Sequence, residues 1–159
     1  KHIYCQLIDD KEGKILLEIT VYEDMLNFSL IQAALMNNSI FIHNHPNSTS
    51  FSPHDIALAI INNCREIRAV GHEKVYVLRR TQDKWGPLPV EEVFLTADTI
   101  FRSLSRKYEK RSSQLLRSAM SDYEVERILD ILFVGQVDEY VLKLVKQLPM
   151  NWVYRIEEV

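Results

Sequence analysis

Two cysteines among 159 residues, with no Cys-x-x-Cys spacing and no apolar run approaching the ~20 residues that span a bilayer, set the first limits on this chain. Cys5 and Cys64 lie far apart in a sequence whose 47% apolar content suffices for folding without staples. Both are expected as buried free thiols, neither disulfide-bonded nor metal-bound. The polar start Lys1-His2-Ile3-Tyr4 lacks the apolar segment of a signal peptide, so a soluble cytoplasmic chain with no membrane partner is the expectation. Basic excess is missing too. A formal charge of −3 gives no general attraction toward nucleic acid or anionic lipid, and any basic surface must be local. Internal repeats and low-complexity tracts are also absent, which leaves one ordinary domain with an appendage.

What is present reads as a mixed fold. Residues 3–8 and 14–22 are rich in Ile, Leu, Val and Tyr, and Asp9-Asp10-Lys11-Glu12-Gly13 between them is turn chemistry, so the chain opens with a β-hairpin. From residue 24 onward Met25, Phe28, Leu30, Ile31, Ala34 and Leu35 recur at three- and four-residue steps, predicting an amphipathic helix of about three turns closed by Asn37-Asn38. Residues 39–45 form a β-branched and aromatic run stopped by Pro46. Ser52 suits an N-cap, Pro53 the first helical position and Asp55 the third, so a helix is expected from there to about Cys64. Residues 67–70 and 75–79 flank Gly71-His72-Glu73-Lys74 as a second hairpin. After the break at Gly86-Pro87-Leu88-Pro89, residues 93–120, 122–133 and 137–148 read as helices and residues 152–156 alternate as one last strand. The expected fold class is α/β (α+β), a mixed sheet flanked by helices. Residues 1–85 form its metal-binding core, and residues 86–159 a helical extension with a final strand packed on that core. The positive charges of Arg102, Arg106, Lys107, Lys110 and Arg111, diluted by Glu109, read as a solvated or domain-packing face, with a partner site as the alternative.

The chemistry concentrates in one segment. Side chains two apart on a strand share a face, so His43 and His45 project side by side while Asn44 turns away. Pro46 ends the ladder, and the helix starting at Ser52 can return Asp55, in its first turn, toward the strand end. Two imidazole nitrogens and one carboxylate oxygen suit Zn²⁺, whose catalytic sites use three protein ligands and leave the fourth position to water. His54 is expected at the surface or the site rim, and His72 and His2 as exposed.

Ile42-His43-Asn44-His45-Pro46 followed by Ser52-x-x-Asp55 resembles the JAMM metallopeptidases, also called JAB or MPN-plus domains, and looks most like their RadC-type branch. The resemblance covers roughly residues 1–80. It implies that His43, His45 and Asp55 are zinc ligands and that Ser52 helps stabilise the oxyanion of a tetrahedral intermediate. It further implies a glutamate as general base, with Glu18 and Glu23 on offer; Glu18 is preferred because a strand fixes its direction. The implied activity is zinc-dependent hydrolysis of a peptide or isopeptide bond in a protein or peptide substrate, including a ubiquitin-like modifier. Two alternatives stand beside it: an inactive scaffold of the same fold that binds a protein through its helical half, and a metal-dependent nuclease or toxin module. The mild acidity of the chain argues against nucleic acid.

Overall fold

Alternation of apolar and polar side chains gives a single mixed sheet two unlike faces in the computed structural model, which describes residues 3–21, 28–118 and 121–159. The strands are β1 (Ile3–Asp9), β2 (Ile15–Val21), β3 (Ser39–Asn44), β4 (Glu66–Val70), β5 (Lys74–Arg80) and β6 (Trp152–Glu158), in the order β2-β1-β3-β4-β5-β6. Four α-helices accompany them among the described residues: α1 (Leu30–Leu35), α2 (Pro53–Ile61), α3 (Val90–Leu115) and α4 (Asp122–Gln147). β3 and β4 pair in parallel through the α2 crossover, and the other neighbours are antiparallel. This is the expected mixed α/β class.

Local chemistry accounts for the opening hairpin. Asp9 Oδ1 accepts from the N–H groups of Lys11 (2.8 Å) and Glu12 (2.7 Å), and Gly13 adopts φ +67°, which glycine takes without steric penalty. Pairing then sets which residues share a face. Cys5, His43, Ala69 and Tyr76 form one row across β1, β3, β4 and β5, and Leu7, Phe41, Ile67 and Leu78 form the next. Apart from His43, these side chains meet Ile56 and Ala59 of α2, Val93, Ala97, Ile100 and Leu104 of α3, and Tyr140, Val141 and Leu144 of α4 in one buried apolar cluster. The opposite face is mixed: Ile42 and the buried Val77 share it with polar side chains, Gln6 bonding to Glu18 and Glu66 lying buried under Arg68 and Arg79. Trp85 and Trp152 belong to the same cluster, and β6 extends the sheet along β5, so the C-terminal part contributes a strand as well as helices. Cys5 and Cys64 are free and buried, and burial raises their thiols to about 11 and about 12. No helix among the described residues is long and apolar enough to cross a membrane.

Three helices differ from expectation. α1 begins only at Leu30, because Ser29 caps it: its Oγ accepts from Gln32 N–H (3.3 Å) while Gln32 Oε1 accepts from Ser29 N–H (2.9 Å). The expected residues 24–27 lie outside the described ones, and the apolar stripe of α1 is not buried: Leu30 is 91% exposed and Ile31 80%. α3 starts earlier than expected, at Val90 behind Pro89, and ends at Leu115 in a short 3-10 turn. α4 runs unbroken through residues 134–136, where two helices were expected. Gly135 sits inside it facing Tyr108 of α3, whose hydroxyl would be in ordinary van der Waals contact (3.4 Å) with a Cβ there.

α3 and α4 are tied at Glu139, which accepts from Lys107 Nζ and Tyr108 Oη and pairs with Lys143. The Lys107 hydrogen bond leads in holding its carboxyl down to about 2 from the ordinary 4.5, with Lys143 and Tyr108 assisting against burial. A depressed folded-state pKa contributes stability above the unfolded value and loses it as pH falls through the folded one. Glu139→Gln is therefore expected to flatten the loss of stability between pH 4.5 and about 2, as read by urea unfolding across that window.

Candidate metal site

The end of β3 presents two imidazoles to one place because its ladder persists one residue beyond the strand. His45 N–H donates to the Val70 carbonyl (2.8 Å), so the alternation that turns His43 toward the helices holds for His45 as well. Asn44, between them, bonds instead to the start of β1, its Oδ1 accepting from Tyr4 N–H (2.6 Å).

α2 delivers the carboxylate. Ser52 caps the helix by accepting from Asp55 N–H (3.3 Å), and Pro53 occupies the first turn without needing a donor. Asp55 Oδ2 accepts from both the main-chain N–H and the hydroxyl of Ser52, each at 2.7 Å, and the positive end of the helix favours its charge. The other oxygen, Oδ1, lies 3.3 Å from His43 Nε2, while His45 Nε2 is 3.7 Å from Oδ2 and 2.8 Å from His43 Nε2. His43, His45 and Asp55 thus offer three ligand atoms within 4.8 Å of one another and could hold a metal ion. His43 is buried, but the Asp55 and His45 side chains are 19% and 15% exposed, so the group opens to solvent on their side.

Electrostatics suits ligands that must be deprotonated. Burial lowers the His45 pKa and the neighbouring His43 acts the same way, against Asp55 and the Thr49 and Ser50 main chain, so this ring is neutral at neutral pH. Burial pushes Asp55 upward, yet His43, His45 and the Ser52 hydroxyl outweigh it and hold the carboxyl well below the usual carboxylate range. The outer contacts of the two rings differ. His45 Nδ1 faces the Thr49 carbonyl (2.9 Å) and hydroxyl (3.1 Å), whereas His43 stacks on Phe41 (centroids 4.8 Å apart, 12° between planes) and buries Nδ1 without a hydrogen-bond partner.

The other expected site residues are placed differently. Glu18 is not brought to the site: it pairs with Gln6, which pairs with Ile42, so it projects from the sheet face opposite His43, two strands away, and bonds to Gln6 Nε2 (3.2 Å). Glu23 and His2 lie outside the described residues. Ser52 is at the site as the N-cap of α2, its hydroxyl donating to Asp55 Oδ2 (2.7 Å) and so aiming the carboxylate. His54 is exposed on α2, its ring edge-on to Phe94 of α3 (5.4 Å), and His72 is exposed in the β4–β5 turn. Sequence reasoning missed Thr49, whose contribution is chiefly a main-chain carbonyl and so leaves no mark in residue type. Comparison with protein-family models, curated proteins and solved structures finds no match.

Proposed function

We propose that this chain is a zinc-dependent amide hydrolase of the JAMM type, acting on a peptide or isopeptide bond. The convergence of His43, His45 and Asp55 on one partly open point carries the reading. Zinc bonds of ~2.0–2.1 Å in a tetrahedral arrangement separate neighbouring donors by about 3.3 Å. Here the two Nε2 atoms are 2.8 Å apart and the nearer Asp55 oxygens lie 3.3 Å from His43 (Oδ1) and 3.7 Å from His45 (Oδ2), while with one oxygen as donor all three atoms lie within 4.8 Å of one another. Among the described residues no fourth side chain joins the group, which matches catalytic zinc sites more than closed structural ones.

When bound, zinc supplies Lewis acidity, polarising a carbonyl and acidifying water. The chain's own residues do the rest. His43 and His45 bring no charge when neutral, so Asp55 alone offsets the cation and leaves it electrophilic. Ser52 keeps Asp55 ionised and aimed, and Thr49 holds the His45 ring. An extended peptide, including the tail of a ubiquitin-like modifier, is the substrate class this reading implies.

Proton transfer is the weak point. With Glu18 on the far face, no second carboxylate among the described residues joins the ligand group, and losing a general base typically slows such chemistry by roughly 10²–10⁴-fold. That placement favours a second reading, a domain that holds its ion and serves as an interaction scaffold without efficient turnover.

Amine release from model peptide and isopeptide substrates separates the two. Cleavage is expected with the zinc-loaded protein, lost on chelation and restored by added zinc, with nucleic acid left intact. Stoichiometric metal without amide turnover would establish the scaffold instead, and cleavage of nucleic acid alone would remove the amide hydrolase.

A further inference from the structure

The loop of residues 46–51 between β3 and α2 is held by contacts from outside it at several points. Ser48 adopts φ +54°, a left-handed backbone that a residue with a Cβ holds only where its surroundings impose it. Locally Ser48 N–H donates to the His45 carbonyl (2.8 Å), and the other supports come from strands and turns remote in sequence. The Tyr76 hydroxyl of β5 donates to the Ser48 carbonyl (3.0 Å), and His72 N–H donates to Ser48 Oγ (3.0 Å). Gly71 comes so close that a Cβ there would lie 3.0 Å from Ser48 Cα. Two residues further along, the buried Ser50 hydroxyl meets the Tyr154 hydroxyl of β6 (3.0 Å), and the Phe51 and Tyr154 rings pack edge to face (6.4 Å). Asp138 of α4 faces both the Tyr76 hydroxyl and the Ser50 N–H.

Thr49 lies between these two anchors. Its carbonyl and hydroxyl face His45 Nδ1 at 2.9 and 3.1 Å. With Ser48 and Ser50 both fixed and the intervening peptide planes rigid, the direction of the Thr49 carbonyl is set from outside the loop. That carbonyl accepts only from a protonated Nδ1, which leaves the lone pair of Nε2 facing His43 and Asp55. We infer that Tyr76 and Tyr154 are positioning residues of the metal site. Through Ser48 and Ser50 they hold Thr49, and through Thr49 they fix the tautomer and ring orientation of His45. For its metal consequence the inference rests on the metal-binding reading above; for its effect on His45 it does not.

The test removes single oxygens. Tyr76→Phe, Tyr154→Phe and the double variant are compared with wild type and with Tyr108→Phe, the same chemical change at the remote α3–α4 contact with Glu139. In metal-free protein, nitrogen-15 NMR of the His45 ring is expected to show Nδ1 protonated in wild type and in Tyr108→Phe, with the Nε2-protonated tautomer gaining in the double variant. Zinc affinity, measured by competition with a chromophoric chelator, is expected to fall severalfold in each single variant. In the double variant the fall is about tenfold, the lower end of the roughly 10–100-fold seen on losing outer partners of metal ligands. A purely structural role would lower thermal stability and leave the tautomer unchanged, and that result would overturn the inference. A wild-type protein that binds no zinc would remove the hydrolase reading, while the metal-free tautomer measurement would still decide this one.

Discussion

Wild-type protein is expected to retain zinc through gel filtration at the proposed site, and in the His43→Ala variant that zinc is expected to fall to background, and any amide cleavage with it. His43 Nε2 is the donor nearest to both others, 2.8 Å from His45 Nε2 and 3.3 Å from Asp55 Oδ1, so its removal leaves one imidazole and one carboxylate 3.7 Å apart. Outer partners of metal ligands are typically worth 10–100-fold in affinity, and loss of a ligand is expected to exceed the roughly 100-fold end of that range. Asp55→Asn is a sharper companion. It keeps the size and capping geometry of the side chain but removes the only formal negative charge, so the affinity loss should approach that of His43→Ala with little change in fold. Elemental analysis after gel filtration and chelator competition measure both variants. Undiminished zinc in His43→Ala would place the metal elsewhere on the chain.

Phe41→Ala is expected to cost roughly 3–5 kcal/mol of folding stability, the range for removing a large aromatic ring from a core. Phe41 is fully buried in the middle of the sheet and pairs with Leu7 on one side and Ile67 on the other. Its ring meets Phe28 edge-on (5.7 Å, 85°) and stacks on His43. Against a typical total of about 5–15 kcal/mol, such a loss moves the urea midpoint substantially. The same substitution removes the flat surface on which the His43 ring rests, and no hydrogen bond at Nδ1 replaces that support. Zinc affinity should therefore fall as well, even under conditions where the variant is fully folded. Phe41→Leu, which fills most of the space but cannot stack, should recover much of the stability and less of the affinity. If the two properties recover together, the stack contributes nothing beyond packing.

The candidate metal site was legible because it is almost entirely local. A strand alternates, a proline ends it, and a Ser-Pro-x-Asp start opens a helix with its acid in the first turn. Within thirteen residues these rules bring His43, His45 and Asp55 together with little help from the rest of the chain. The strands were legible for similar reasons, including β6, whose alternation is visible without knowledge of its partner. α4 was not, because a glycine that weakens helices in isolation is carried at residue 135 within one continuous helix packed against Tyr108 of α3. The apolar residues of α1 were also misleading: periodicity identifies a stripe, but burial needs a neighbour to cover it, and Leu30 and Ile31 are mostly exposed.

Alone, the amino-acid sequence determined the kind of donor atoms and their convergence, since both follow from backbone geometry over a short span. Only the tertiary structure decided what surrounds them. Glu18 turned away because its direction depends on register across two strand pairs, where a shift of a single residue reverses the face. The support of His45 by Tyr76 and Tyr154 arises from contacts 28 and 104 residues apart along the chain, at Ser48 and Ser50. Side chains so distant in sequence meet only through the packing of the whole sheet against its helices.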